Sequence, residues 1–254
     1  MDIVFVSILI FAATLVAGLV GLYAHSKLPA EQKSDSARSV VGQVAGLVSL
    51  LLALVLGTLV GTSFAFFGGQ KTTLEGLSAQ ILELDQALAQ YGPETKPARD
   101  RLKQAAQKAY DTFWGGGDAD PALLSVAVPM AAYQATTAYL DTLKPETEAQ
   151  KQALASAKAL AGQIEHSRIM MDLQVAGPPV TPALVTILVI WAVILFFSIG
   201  LFAESNGLVL SAMIFGALCV AFAVFLILEL GLPYTGMFRV NPAALEATMD
   251  NIDK

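Results

Sequence analysis

Apolar residues crowd into four stretches of the chain, set in two pairs around a polar middle. The first stretch runs Ile3–Tyr23 and the second about Val44–Phe67, with no charge inside the second. The third runs Pro182–Ala203 and the fourth Gly207–Leu230, separated only by Glu204, Ser205 and Asn206. Each is long enough to cross a bilayer, where about 20 apolar residues span about 30 Å as a helix. The first stretch follows an acidic Met1-Asp2 and exceeds the usual apolar core of a secretion signal, so it reads as a retained membrane helix.

The middle of the chain changes period. Beyond Gly68-Gly69, a pair that favours a bend, Leu74, Leu77, Ile81, Leu84 and Leu88 recur at spacings of three and four, a heptad-like seam. Two heptads are too few for a free coiled coil, so the seam predicts packing inside a helical domain. Tyr91-Gly92-Pro93 ends that helix. A second helix is expected from near Thr95, with Pro97 in its first turn and a stripe of Leu102, Ala106, Ala109, Tyr110 and Phe113. Gly115-Gly116-Gly117 breaks it. Asp120-Pro121 reads as the cap of a third helix, which Pro129 kinks or divides. Pro145 opens a long fourth helix with Leu154, Ala157, Leu160, Ala161, Ile164 and Met171 on one face, and Gly177-Pro178-Pro179 ends it. No alternating strand pattern occurs. The fold expected is all-α: transmembrane helices 1 and 2 in residues 1–69, a helical extramembrane domain inserted in 70–180, and transmembrane helices 3 and 4 with a tail in 181–254.

Composition agrees. Hydrophobic residues make up 55% and charged residues 14%, as expected of a chain of which a large part, though less than half, lies in membrane spans. The net charge of −6 and the mildly acidic middle argue against nucleic acid, which needs a basic face. Cys219, inside the fourth stretch, is the only cysteine, so no disulfide forms within one chain. Catalysis has little to work with. His25 and His166 are the only histidines, and no zinc motif, phosphate loop, dinucleotide fingerprint or nucleophile elbow is present. The reading is therefore not an enzyme, with no cofactor and no metal. Basic residues near the spans (Lys27, Lys33 and Arg38 against Lys71, Arg168 and Arg239) nearly cancel and leave the orientation open.

Three features carry candidate function. One face of the second stretch is lined by Gly42, Gly46, Ser49, Ala53, Gly57 and Gly61, small residues that let helix backbones approach closely in lipid. A neighbouring face carries Gln43, Leu47, Leu54, Thr58, Thr62 and Phe66. Its hydroxyls either bond their own backbone or line a water-filled path, with Leu54 and Phe66 as apolar constrictions of the kind that gate pores by dewetting. Glu229 is the one clear charge inside a span. A carboxylate there is costly and pairs or lines a cavity, and Arg239, beyond the Pro233–Gly236 turn, is the candidate partner.

Four segments resemble the bestrophin-like membrane family, catalogued as a domain of unknown function. They are Leu56–Ser63, Leu84-Asp85 through Tyr91-Gly92-Pro93-Glu94, Trp191 through Gly200 to Ala203, and the closing run Phe225–Val240 with Glu229, Pro233, Gly236 and Arg239. The chain departs from the family at Gly231 and Leu232, where an acidic and then a basic residue are usual. The resemblance implies four membrane helices with a helical domain after the second. By relation to bestrophins, it also implies a pentameric, anion-conducting assembly in a bacterial inner membrane, with the domain in the cytoplasm and with lipid, ions and copies of itself as partners. The aromatic neck of true bestrophins is missing from the second span, and Phe64, Phe66 and Phe67 stand at its domain-side end. Two readings stay open. A homo-oligomeric channel lined by the second span predicts that its small and polar positions face a common axis. A non-conducting scaffold or sensor, binding a partner through the helical domain, predicts those positions buried against the chain's own helices.

Overall fold

A computed structural model describes residues 2–27, 29, 35–115, 127–177 and 179–252, and every regular element among them is helical. The helices are α1 (Ile3–Lys27), α2 (Asp35–Tyr91), a 3-10 turn (Pro93–Thr95), α3 (Lys96–Trp114), α4 (Ala127–Thr142), α5 (Glu148–Ala176), α6 (Pro182–Phe202), α7 (Gly207–Glu229) and α8 (Ala243–Asn251). α1, α6, α7 and the first part of α2 are the four helices long and apolar enough to cross a membrane. The chain divides into two compact units, Met1–Phe66 with Pro179–Gly231 and Phe67–Pro178 with Leu232–Lys254.

In the first unit α1 packs on α6 and α7. Gly21 and Gly200 make the closest approach. A Cβ on Gly200 would collide with the Gly18 carbonyl and lie 3.0 Å from Leu22 N. One on Gly21 would strike the Phe197 carbonyl and lie 2.9 Å from Leu201 N. Only glycine permits this backbone contact, which replaces the hydrophobic drive that lipid cannot supply. Thr14, wholly buried in α1, donates its hydroxyl to the carbonyls of Ile10 (2.8 Å) and Phe11 (3.0 Å), so no polar group is left unmet there. Leu52 and Leu56 of α2 complete an apolar cluster with Ile10, Leu188, Ala192, Leu195, Val224 and Ile227.

In the second unit the seam is the core. Leu74, Leu77, Ile81, Leu84 and Leu88 are all buried, against α3, α5 and the C-terminal segment. α2 passes unbroken through Gly68-Gly69, and the Thr72 and Thr73 hydroxyls bond back to the carbonyls of Gly68 (3.1 Å) and Gly69 (3.0 Å). Its end is set by Gly92, at φ 138°, a left-handed region that glycine enters at little cost. α3 starts as expected, with Pro97 in its first turn.

The helix expected to open at Pro145 begins instead at Glu148. Thr147 Oγ1 accepts from Gln150 N (3.1 Å) and Gln150 Oε1 accepts from Thr147 N (3.3 Å), a reciprocal cap that places the start three residues past the proline. As far as it is described, from Ala127 to Thr142, α4 runs unbroken through Pro129. Gly116, Gly117 and Asp120-Pro121 lie outside the described residues. α8 was not foreseen. Its Leu245 and Thr248 are buried, and Thr248 Oγ1 donates to Ser78 O across the unit at 3.1 Å.

Candidate functional site: the open face of α2

α2 is two-sided within the first unit. Its packed stripe is Leu52, Leu56 and Ser63, all buried, with Ala45, Val48, Val55 and Leu59 partly so. At 100° per residue, Gln43, Leu47, Leu54, Thr58 and Ala65 point directly away from that stripe. Leu47, Leu50, Leu51 and Leu54 are 53–69% exposed. Only 11% of the apolar part of α2 is buried, against 33% for α6 and 28% for α7, so α2 is the least covered of the later three spans.

The small residues follow the same division. A Cβ built on Gly42, Gly46, Gly57 or Gly61 would meet nothing within 4 Å. Ala53 is exposed, and Ser49 is half-buried with its hydroxyl on Ala45 O at 2.8 Å. Gly42, Gly46 and Ser49 border an open groove of about 400 Å³ whose other wall is Ser198, Ile199 and Phe202 of α6. Thr58 and Thr62 are exposed, and their hydroxyls donate to the carbonyls of Leu54 (2.8 Å) and Thr58 (3.0 Å). Their protons are thus spent inside the helix, while the oxygen lone pairs remain available outward. Phe66 is half-buried, on the flank of the packed stripe rather than on the open face. Ser63, on the packed side, is fully buried and its Oγ has no hydrogen-bond partner.

Glu229 ends α7 and is 3% exposed, within the first unit. Arg239 belongs to the second unit and donates from Nε to Gly236 O at 3.2 Å. His166 is exposed, whereas His25 Nδ1 lies 2.8 Å from Leu201 O and so ties α1 to the end of α6. Among the described residues no group of histidine, cysteine and carboxylate side chains is placed to hold a metal.

Several structural side chains escaped sequence reasoning. Asp85, 3% exposed, receives a two-pronged ion pair from Arg99, Nε to Oδ1 at 2.7 Å and Nη2 to Oδ2 at 2.8 Å. Tyr234 places its hydroxyl 3.2 Å from both Gln70 Oε1 and Met171 Sδ, and Gln70 Nε2 donates to Gln174 Oε1 at 2.8 Å. Burial pushes the Tyr234 phenol well above its ordinary pKa. Trp114 Nε1 donates to Val240 O at 2.9 Å, beside Phe113 and Tyr234 rings. The signal was present: Asp85, Gly92 and Tyr234 all lie in the segments quoted above for their resemblance, and each fixes a joint of the second unit.

The Bestrophin-like domain family matches residues 12–245, nearly the whole chain. The chain is therefore a membrane protein of the bestrophin-like family. No curated protein and no solved structure matches it.

Proposed function

We propose that the chain is the subunit of a homo-oligomeric ion channel in which α2 faces the conduction path. The observation that carries this reading is the open face of α2, where Gly57, Thr58, Gly61 and Thr62 meet no other part of the protomer that could explain small and hydroxylated residues there. Lipid alone has no use for a row of glycines, since each costs about 1 kcal/mol of helix propensity relative to alanine. Copies of α2 around an axis use both features: glycines set the close approach, and Thr58 and Thr62 oxygens face water. Leu54 forms the apolar constriction, and Phe66, on the flank of the packed stripe, borders the domain-side end without facing the axis. A pentamer, anion selectivity, an inner-membrane location and a cytoplasmic domain come with the proposal by analogy with bestrophins. A pairing of Glu229 with Arg239 is part of the proposal on separate grounds, the cost of a carboxylate at the end of an apolar span and the basic residue that follows it in the chain. Glu229→Gln and Arg239→Gln are expected to lower the unfolding temperature by less together than the sum of their separate effects, and strictly additive losses reject the pair.

The channel reading is tested by recording from purified protein in planar bilayers, after Cys219→Ala and Thr58→Cys. Current that a charged thiol reagent blocks in this variant, and not in Cys219→Ala alone, is the expected result. Current indifferent to the reagent removes α2 from the path. Absence of current with Thr58→Cys unable to cross-link between copies favours the scaffold.

A further inference from the structure

Among the described residues, three buried side-chain polar atoms have no hydrogen-bond partner: Ser63 Oγ, Glu165 Oε1 and Asp172 Oδ2. Two of them belong to one face of α5, with Arg168 between them at i+3 from Glu165 and i−4 from Asp172. Buried carboxylate oxygens are nearly always met by a donor in native proteins, so two orphans in two turns call for a physical explanation. Arg168 does not supply it, since among the described residues its guanidinium makes no hydrogen bond or ion pair. Burial lowers the Arg168 pKa, while the two carboxylates act to hold it charged. Asp172 is raised by its own burial, against the pull of Arg168.

Arg168 stands between two chambers. The smaller, about 120 Å³, has Asp172 on its wall with Phe113, Trp114 and Tyr234. The larger, about 260 Å³, has Glu165, itself only 7% exposed, and Arg101, whose guanidinium lies over the Tyr139 ring at 5.7 Å. Leu102, Ala105, Ile164 and Arg168 border both chambers. The alanines of α3 make the room, because larger side chains at Ala105 and Ala106 would fill it. The remaining walls are apolar except for Thr136 in the larger chamber.

An unmatched cation and unmatched carboxylate oxygens on one wall narrow the choice of occupant. A simple organic cation would satisfy Glu165 and leave Arg168 stranded. A simple anion would satisfy Arg168 and worsen the position of both carboxylates. A molecule that carries both charges meets both needs and adds no net charge to a desolvated site. We propose that the chambers flanking Arg168 bind a small zwitterion, an α-amino acid with an apolar side chain. Its carboxylate receives hydrogen bonds from Arg168, its ammonium donates to Glu165 Oε1, and its side chain lies against Leu84, Leu102 and Ile164. This site is independent of whether α2 lines a pore.

The test titrates the full-length protein in detergent with L-leucine and with L-phenylalanine, following unfolding temperature and binding heat. A saturable rise in unfolding temperature is expected at roughly millimolar ligand, the range open to a molecule this small. L-Leucinamide, which lacks the carboxylate, and 4-methylpentanoate, which lacks the amine, are expected to give no shift. Glu165→Gln and Arg168→Gln should each weaken binding by about tenfold or more. Ala105→Leu narrows the shared wall without touching a charge, so it should abolish binding while leaving the ligand-free protein as stable as before. It also carries the test if a charge variant fails to fold. No shift with either amino acid up to about 10 mM overturns the proposal. So does an equal shift from the amide or the deaminated acid, or undiminished binding in Ala105→Leu.

Discussion

Two rows of glycine in the membrane unit have opposite surroundings. Gly18, Gly21 and Gly200 lie where α1 and α6 cross, and a methyl group on Gly21 or Gly200 would overlap backbone of the other helix. Gly42, Gly46, Gly57 and Gly61 run along α2 and touch nothing. The first row has found its partner inside the protomer. The second has the same chemistry and no partner there. Small residues in a membrane helix report that another backbone comes close, because they lose side-chain packing unless one does. They do not report whether that backbone belongs to the same copy of the chain. The contrast is the physical reason for reading α2 as the surface on which copies meet.

The sharpest way to break this contrast is to add bulk at the closed row. Gly200→Leu forces the α1 and α6 backbones apart, and no flexible side chain is available to yield, since the atoms in the way are the Gly18 carbonyl and Leu22 N. Overpacking of a tight site costs about 1–3 kcal/mol and more where backbone must move. The expected outcome is the largest loss of unfolding temperature of any variant considered, seen in detergent even when the protein is dilute. A Gly200→Leu protein that melts with the wild type would mean that the crossing is looser than described.

Much of this architecture is legible in the sequence, and the reasons differ from place to place. The five seam residues from Leu74 to Leu88 are all buried because a 3-4 spacing leaves a helix only one apolar face to hide. The four spans are equally plain, since length and absence of charge decide them. The start of α5 missed by three residues because a proline is a weaker signal than the Thr147–Gln150 cap that follows it. α8 went unseen because nine residues with two buried positions carry too short a period. The polar cluster of Glu165, Arg168 and Asp172 looks like any solvated helix face in one dimension. Only the packing of other helices around α5 takes those charges out of water. Gly18, Gly21 and Gly200 were passed over for a subtler reason: they are scattered over two distant helices, whereas the α2 glycines form a row visible in one.

At the open row the same kind of substitution should act on assembly. Gly57→Leu and Gly61→Leu meet empty space in the protomer, so its own fold should be unharmed or slightly helped by the better helix former. What should fail is the approach of one α2 to the next. The expected result is a smaller particle by mass in detergent, with any change in unfolding temperature following protein concentration, as it does for linked association. Unchanged mass in both variants would mean that this face points to lipid. The comparison would then reduce to one used and one unused glycine row.

The packed side of α2 offers a smaller effect of opposite sign. Ser63 is fully buried with an unpartnered hydroxyl oxygen. Ser63→Ala removes that group without opening a sizeable cavity, and an unmet buried hydroxyl costs about 1 kcal/mol or more. The variant should therefore melt at a slightly higher temperature than the wild type. A clear loss would show that Ser63 has a hydrogen bond in the assembled protein, which brings a donor or acceptor from another copy to the side of α2 taken here as closed.

Thr58→Val and Thr62→Val should have the least effect on stability and the most specific effect on function. Each removes a hydroxyl that bonds to its own helix, to Leu54 O and Thr58 O, and keeps the β-branched shape. Exposed substitutions of this kind stay within about 0.5 kcal/mol. The loss lies elsewhere. If these positions face water around a shared axis, the oxygen lone pairs that once met passing ions or their hydration are replaced by methyl groups, and the path becomes less polar at two levels one turn apart. Single-channel conductance should fall or selectivity should change, with assembly and unfolding temperature as in the wild type. The paired measurement separates the two rows of α2 residues: glycine variants that alter mass and threonine variants that alter only current. Threonine variants that conduct as the wild type does would leave the glycine face as a contact between copies and place the conduction path on another surface.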